Sequence, residues 1–441
     1  MDRLRRSIHG GKASSGSTHV TEQGRRLRRD VVWNLVPVGL LGVVGLGLSF
    51  VVARWWGASA FGVFNLVTTA YFAFAVIGAC GLQYSVLRAI AEAPEDRDRV
   101  AAIVAGALVP NLVLAAASTT VFVAIRPLIA RWLDSPAVGE GMLWAAPGLF
   151  CFAVNKLLLG VVNGLRRMRA FAIYTSLRYG LIAAGLVIAR VEHVASDHLA
   201  AIWTFTEGVL LIVLIGELVA TVSLRRAAGW TAWTKQHLDY GVRGVLATLA
   251  YEINTKLDVW MLGVLIADKA AVGIYALAAA LNEGVMQLAA VLQNNLDPMI
   301  ARLIAGGDVT ELHALVKRSR RWFVPALVGV CAASAAVFPA VIPWLIGTPG
   351  FAAGAIPFAI LMAGIAIASP YLPFAHLLLM AKRPGWHTVL LVIAIAVNVT
   401  GNVVLIPRLG LAGAAISMAA TVVTSALLLR GLARWCARVR L

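Results

Sequence analysis

Residues 256–281 read KLDVWMLGVLIADKAAVGIYALAAAL. Two apolar runs flank the polar break Ala267-Asp268-Lys269, and each run continues beyond the quoted stretch, back to 243 and on to 298. An apolar run of about 20 residues crosses a hydrocarbon core of about 30 Å as a helix. The stretch therefore reads as one membrane crossing, a tight turn and the next crossing. The first crossing nevertheless carries Glu252, Lys256 and Asp258, and the second carries Glu283. A charge at mid-bilayer is expensive in lipid and is met inside a bundle or beside water. In the first crossing Thr248, Glu252, Thr255 and Lys256 share one helical stripe; Tyr251, Asn254 and Asp258 share a second, roughly 100° round. Such a broad polar surface belongs to a hydrated cleft.

The same pattern extends along the chain. Hydrophobic residues make up 60% of the 441 positions and charged residues 13%, about half the charged share of soluble domains; the mean hydropathy is +0.83. Regular two-residue alternation is absent, which favours a helical bundle over a barrel. Twelve crossings are predicted, at 31–53, 61–88, 101–125, 141–163, 170–189, 200–224, 243–266, 271–298, 322–346, 353–380, 386–406 and 411–433. The fold class is an all-α polytopic membrane protein.

The net charge of +17 points to nucleic acid only until the cations are placed. Of 38 lysines and arginines, 29 fall at the two ends of the chain and in the even-numbered loops. That bias is the positive-inside signal. It places both termini in the cytosol, makes nucleic acid an unneeded partner, and makes membrane lipids the expected surroundings. Residues 1–30 lack the apolar run of a signal peptide and read as an unordered, retained cytosolic tail. The four cysteines are scattered and form no CxxC pair, so neither a metal site nor a disulfide framework is expected. No cofactor is expected. "HGGKAS" fails as a phosphate loop, and no catalytic constellation is visible, so the chain reads as a non-enzyme.

"FGVFNL" (61–66) opens the second crossing and "VGIYAL" (272–277) opens the eighth, 211 residues later. At that offset Gln83 matches Asn294, and Phe72 matches Glu283. The chain then divides into an N-terminal six-helix lobe (31–224), a cytosolic linker (225–242) and a C-terminal lobe (243–441) that ends in a short basic tail. Six crossings per half give both halves the same orientation, related by a pseudo-two-fold axis along the membrane normal, with substrate in the cleft between them.

Several stretches together resemble the oligosaccharide flippases, the Wzx-type polysaccharide transporters. Gly57, Phe61-Gly62-Val63-Phe64, Gly81-Leu82 and Arg88 are similar to that family's first hairpin. Asp258, Leu262-Gly263 and Val272-Gly273-Ile274-Tyr275 are similar to its seventh and eighth helices, and "LIPRLGLAGAAIS" (405–417) to its eleventh-to-twelfth turn. The resemblance spans residues 31 to about 430. It implies membership with the multidrug and toxin extruders and the lipid II flippases. It also implies movement of polyprenyl-diphosphate-linked oligosaccharides from the inner to the outer leaflet of the plasma membrane, and a polysaccharide polymerase and glycosyltransferases as partners.

Within that frame Lys156, Arg178 and Lys256 are the expected cationic contacts for a diphosphate, with Gln83 and Asn294 as amides near it. Glu283, then Glu252, are the carboxylates expected to couple transport to an ion gradient. Asp258, Glu217 and Arg88 are expected to be structural or gating residues. Counting helical rise puts Lys156, Arg178 and Glu217 at similar depth in the inner half and Glu207 in the outer half. Glu217 could therefore neutralise Arg178, and Glu252 could pair with Lys256 at i,i+4. A drug or organic-cation antiporter of the same fold, a non-transport scaffold of a glycan-assembly complex and a polyprenol glycosyltransferase stand as alternatives. Glu192, His193, Asp197 and His198 cluster in an outer loop that reads as solvated rather than metal-binding.

Overall fold

A computed structural model describes residues 15–224 and 227–436; the side chains before Val44, of residues 244, 246–248 and 250–253, and of residue 436 lie outside the described residues. The described residues form helices and short 3-10 turns: α1 (Ser15–Ala79), α2 (Leu82–Glu92), α3 (Arg97–Trp132), α4 (Pro136–Gly164), α5 (Met168–Val191), α6 (Ala201–Thr221), α7 (Trp230–Leu265), α8 (Lys269–Gly306), α9 (Val309–Ile346), α10 (Ala355–Ala368), α11 (Leu377–Met380), α12 (Pro384–Leu409) and α13 (Leu411–Cys436). Among the described residues ten helical segments are long and apolar enough to cross a membrane, and the chain is a multi-pass membrane protein. That number counts α1 once and leaves out α7. Since α1 folds back at Gly57, twelve crossings are consistent with the same helices.

Three local differences from the sequence reading have physical causes. Gly57 has φ +86°, a left-handed value that a residue with a Cβ rarely adopts, and it alone joins the first two crossings without a loop. The second crossing, expected to run unbroken to 88, stops at Cys80 and Gly81, both with positive φ, and resumes as α2. The tenth, expected to run to 380, ends at Ala368. Pro370 and Pro373 follow, cannot donate to a helical ladder, and leave a 3-10 turn before α11. Polar caps set other ends: the Asp96 side chain accepts from the Arg99 amide at 3.0 Å, and Asp268 from the Ala270 amide at 2.8 Å. Helix α1 begins at Ser15, inside the tail expected to be unordered, and residues 1–14 lie outside the described residues.

The cores show how the halves meet. At the end of the bundle bearing Gly62 and Gly273, one apolar cluster takes residues from both halves, among them Phe61, Leu66, Tyr71, Leu262, Tyr275 and Phe358. At the opposite end, which carries Arg88, Arg166, Arg167, Lys317, Arg318 and Arg383 and is called here the basic end, the core splits. One cluster belongs to α1–α6 and another to α8–α13. Burial removes apolar surface from water wherever helices touch, so a shared core at one end and two cores at the other describe a bundle splayed toward its basic end.

The expected linker is partly helical. Residues 230–242 are the first turns of α7 and pack on the N-terminal half. His237 is fully buried there, its Nδ1 2.8 Å from Ser85 Oγ and its Nε2 3.2 Å from the Ile103 carbonyl. Burial lowers its pKa from 6.5 to about 4. The folded state therefore keeps His237 neutral while the unfolded segment protonates near 6.5. The stability this gives is full above about pH 6.5 and is lost as pH falls toward 4, by about 2 kcal/mol at pH 5. Hydrogen exchange of residues 230–242 is expected to speed up from pH 7 to pH 5 beyond its intrinsic change, and that excess is expected to vanish in His237→Asn. An unchanged excess in the variant would remove His237 as its source.

Candidate functional site

The two matched glycines meet. A Cβ on Gly62 would lie 2.1 Å from the Lys269 carbonyl oxygen, and one on Gly273 would lie 1.9 Å from the Ala58 carbonyl oxygen. Only glycine allows two backbones this close. The contact seals the α1–α8 seam at the end away from the basic charges. Further along α8 the helix opens: Val272, Gly273, Tyr275, Ala276 and Leu277 are buried, whereas Gln287 and Asn294 are exposed.

Below the seam, α1, α3 and α7 enclose a cavity of about 260 Å³ whose lining includes Thr69, Phe72, Ala73, Ile129, Lys256 and Trp260. Among the described residues lining it Lys256 is the one that carries a charge, and its neighbours there are mostly apolar. Its Nζ donates to the Glu283 carboxylate on α8. The expected i,i+4 partner Glu252 lies outside the described side chains. Lys256 and Glu283 are 35% and 44% exposed, so the pair is not sealed inside the protein. Asp258 differs: it is buried and accepts the Tyr275 hydroxyl from α8. That hydrogen bond links α7 to α8.

The N-terminal half holds a second charged cluster. The Arg178 guanidinium faces the Glu207 carboxylate edge-on, with Nε 2.9 Å from Oε1 and Nη2 3.1 Å from Oε2. The first contact is close in distance but poorly aligned as a hydrogen bond, since Nε and Oε1 both lack an aligned partner. Asn155 Nδ2 donates to Glu207 Oε2 at 2.8 Å and to its carbonyl at 2.9 Å. Glu207 is 1% exposed and Arg178 13%. Arg178 lies 4.9 Å from the centre of the Phe152 ring and Lys156 Nζ 5.3 Å from it, so one aromatic ring carries both cations. Phe152 packs edge-on against Phe72 at 5.7 Å. Phe72 in turn lines the cavity with Lys256, which connects the two clusters.

Arg178 thus pairs with Glu207, not with Glu217. Arg178 sits ten residues inside α5 from its basic end. Glu217 sits only four from the end of α6, a difference of about 9 Å along the helix axis. Glu217 instead accepts from Arg167 and, at 2.7 Å, from Tyr174. Gln83 is the second residue of α2, with its backbone against Gly160, and its Oε1 is buried without a partner among the described residues. Arg88 is exposed and pairs with Glu92 at 3.7 Å. Neither Gln83 nor Arg88 joins the two clusters. In the loop between α5 and α6, the His198 ring packs 4.8 Å from the Trp144 ring, and its Nε2 lies 3.9 Å from Glu140 Oε1. Among the described residues no group of three or more His, Cys, Asp or Glu is placed to hold a metal ion. Asn155, Glu207 and Tyr275 were not expected as site residues. The Asn155-Lys156 dipeptide in an otherwise apolar helix was the available signal for the first.

The fold is that of known membrane transporters. A lipid II flippase, MurJ, in an inward closed conformation matches with a TM-score of 0.70 at 11% identity, over 91% of this chain and 87% of that one. An inward-facing multidrug resistance MATE family transporter of the MOP superfamily matches with a TM-score of 0.72 at 14% identity, over 90% and 96%. A MOP superfamily transporter from Pyrococcus furiosus, described as having a binding pocket of reverse polarity, matches with a TM-score of 0.57 at 15% identity, over 90% and 92%. At these identities the likeness is one of fold. No curated protein matches the chain by sequence. Residues 27–304 match the family described as polysaccharide biosynthesis protein, and the chain, which carries that match over more than half its length, belongs to this family.

Proposed function

We propose that the protein is a flippase. It moves polyprenyl-diphosphate-linked oligosaccharides from the inner to the outer leaflet of the plasma membrane for cell-surface polysaccharide synthesis, by alternating access coupled to an ion gradient or the membrane potential. The observation that carries this reading is the placement of Lys256 in an apolar inter-lobe cavity, linked through Phe72 and Phe152 to Lys156 and Arg178. A diphosphate leaving the headgroup layer needs cationic partners in low-dielectric surroundings, and the prenyl tail needs lipid or apolar walls. The basic end faces the cytosol by the positive-inside bias, so the splayed end opens toward the inner leaflet. Glu283, partly exposed and paired with the cavity lysine, is the coupling carboxylate: protonating it would free Lys256 for the diphosphate. A polysaccharide polymerase and glycosyltransferases are the partners that would use and supply the lipid-linked glycan.

A drug or organic-cation antiporter of the same fold is the second reading. It is disfavoured because Glu207 and Glu283, the carboxylates of the two clusters, are each already paired with a cation. The test is reconstitution. Wild-type protein in proteoliposomes is expected to translocate a polyprenyl-diphosphate glycan under an imposed ion gradient, and Lys256→Ala to do so at least about tenfold more slowly, the loss of one charge-assisted contact. Transport of an organic cation instead, or an unchanged rate in Lys256→Ala, would sink the proposal.

A further inference from the structure

Two arginines at the basic end of the C-terminal half are turned inward without a carboxylate. On α9 the run Lys317-Arg318-Ser319-Arg320-Arg321 exposes Lys317, Arg318 and Arg321 but turns Arg320 toward the helices. Its Nε donates to the Pro370 carbonyl at 2.8 Å, and its guanidinium lies 4.7 Å from the centre of the Tyr371 ring. The carbonyl and the ring fix the plane of the guanidinium. Its Nη2 is nonetheless shielded from solvent without a hydrogen-bond partner, and so is Nε of Arg430 on α13. Leu312 and Val316 on α9 share an apolar cluster with Leu429 and Ala433 on α13, which brings Arg320 and Arg430 to the same end of the bundle; burial disfavours the Arg320 charge, Tyr371 favours it, and the Arg430 charge opposes it. Among the described residues neither arginine has a carboxylate within ion-pair distance. Asp297 on α8, at the same end of the bundle, pairs with His376 at 2.9 Å.

Like charges brought together out of water destabilise each other, and an unpaired buried donor costs further free energy. The arrangement is therefore unfavourable when empty and relieved by an anion. We propose that Arg320 and Arg430 form a phosphate-binding site, separate from the inter-lobe cleft, between α9, the turn after α10, and α13. The planar, fixed guanidinium suits a tetrahedral phosphate, which takes forked hydrogen bonds from arginine. The phosphate can come from the headgroup of an anionic phospholipid, whose layer the basic end meets, or from free phosphate in the cytosol.

The purified full chain, titrated calorimetrically with dihexanoyl-phosphatidylglycerol and separately with inorganic phosphate, separates these sources. At least one titrant is expected to bind. Arg430→Gln is expected to weaken that binding by at least about tenfold, and Arg318→Gln, an exposed neighbour on the same face of charge, by less than about twofold. Arg430→Lys, which keeps the charge but not the fork, is expected to fall between. Binding of the lipid alone identifies the headgroup as the ligand; binding of inorganic phosphate with the same Arg430 dependence identifies the free anion. Among the described residues no hydrogen bond to Arg430 is present, and its replacement removes a like charge, so thermal unfolding without titrant is expected to stay level or rise; Arg430→Lys carries the comparison if Arg430→Gln does not fold. Equal losses in the Arg430 and Arg318 variants, or no binding of either titrant, would overturn the site.

Discussion

Gly273→Ala is expected to abolish translocation while the bundle still assembles. The added Cβ would sit 1.9 Å from the Ala58 carbonyl oxygen and 2.9 Å from the Gly62 nitrogen, both backbone atoms. Neither can swing aside as the tip of a side chain could, so α1 and α8 must separate. Overpacking of this kind costs about 1–3 kcal/mol or more. In a protein with one fixed conformation the whole penalty would appear as lost stability. In a protein that alternates, the penalty falls only on the state in which the seam is closed. A difference of about 3 kcal/mol then shifts the population of seam-open molecules by roughly two orders of magnitude. The expected signature is loss of transport with thermal stability lowered by less than the contact would demand. Gly62→Ala meets the Lys269 carbonyl oxygen in the same way and is expected to behave alike. Full transport in either variant would show that the seam does not gate the cycle.

The second large effect concerns Arg178 and Glu207. Glu207 is almost fully buried and receives Arg178 and Asn155 together. Removing one member of such a pair leaves a buried charge uncompensated, at about 3–5 kcal/mol. Arg178→Ala and Glu207→Ala are each expected to lower the unfolding temperature strongly. The double variant Arg178→Ala/Glu207→Ala is expected to recover most of that stability, because no stranded charge remains. Transport separates structure from substrate binding. If Arg178 contacts the diphosphate during the cycle, the stable double variant stays transport-deficient, and Arg178→Lys, which keeps a charge without the fork, transports only in part. A stable double variant with wild-type translocation would make Arg178 a structural residue alone.

How much of this could be read beforehand depends on the kind of interaction. The crossings were legible because lipid imposes length and apolarity on each helix separately. The run through α12, "LLVIAIAVNV", announces itself without any partner. The Gly62–Gly273 contact was half legible. The repeated x-G-[VI]-[FY]-x-L marks both positions, but a repeat gives equivalence and only the fold gives contact. Side-chain pairing was the least legible. Axial depth placed Arg178 with Glu217, yet the pairs that form follow reach and rotation about each helix, which helical counting leaves coarse. The same holds for Lys256, whose partner Glu283 lies on the next helix rather than one turn away. The breaks at Cys80-Gly81 and after Ala368 needed only local chemistry, Gly81 in one case and two prolines in the other, yet the unbroken apolar pattern on either side hid them.

The central claim is that the halves rock, with the glycine seam opening as the basic end closes. Paired spin labels test it directly in a background with the native cysteines replaced. One pair, at Ser59 and Ala267, reports the seam; the other, at Glu95 and Ala305, reports the basic end. On adding the lipid-linked glycan under an ion gradient, the seam distance is expected to lengthen by an amount on the order of a helix diameter, ~10 Å, in a new population, while the basic-end distance shortens in the same molecules. Gly273→Ala is expected to show the long seam distance without substrate. Distances that stay fixed at both ends while translocation proceeds would contradict alternating access by this protein.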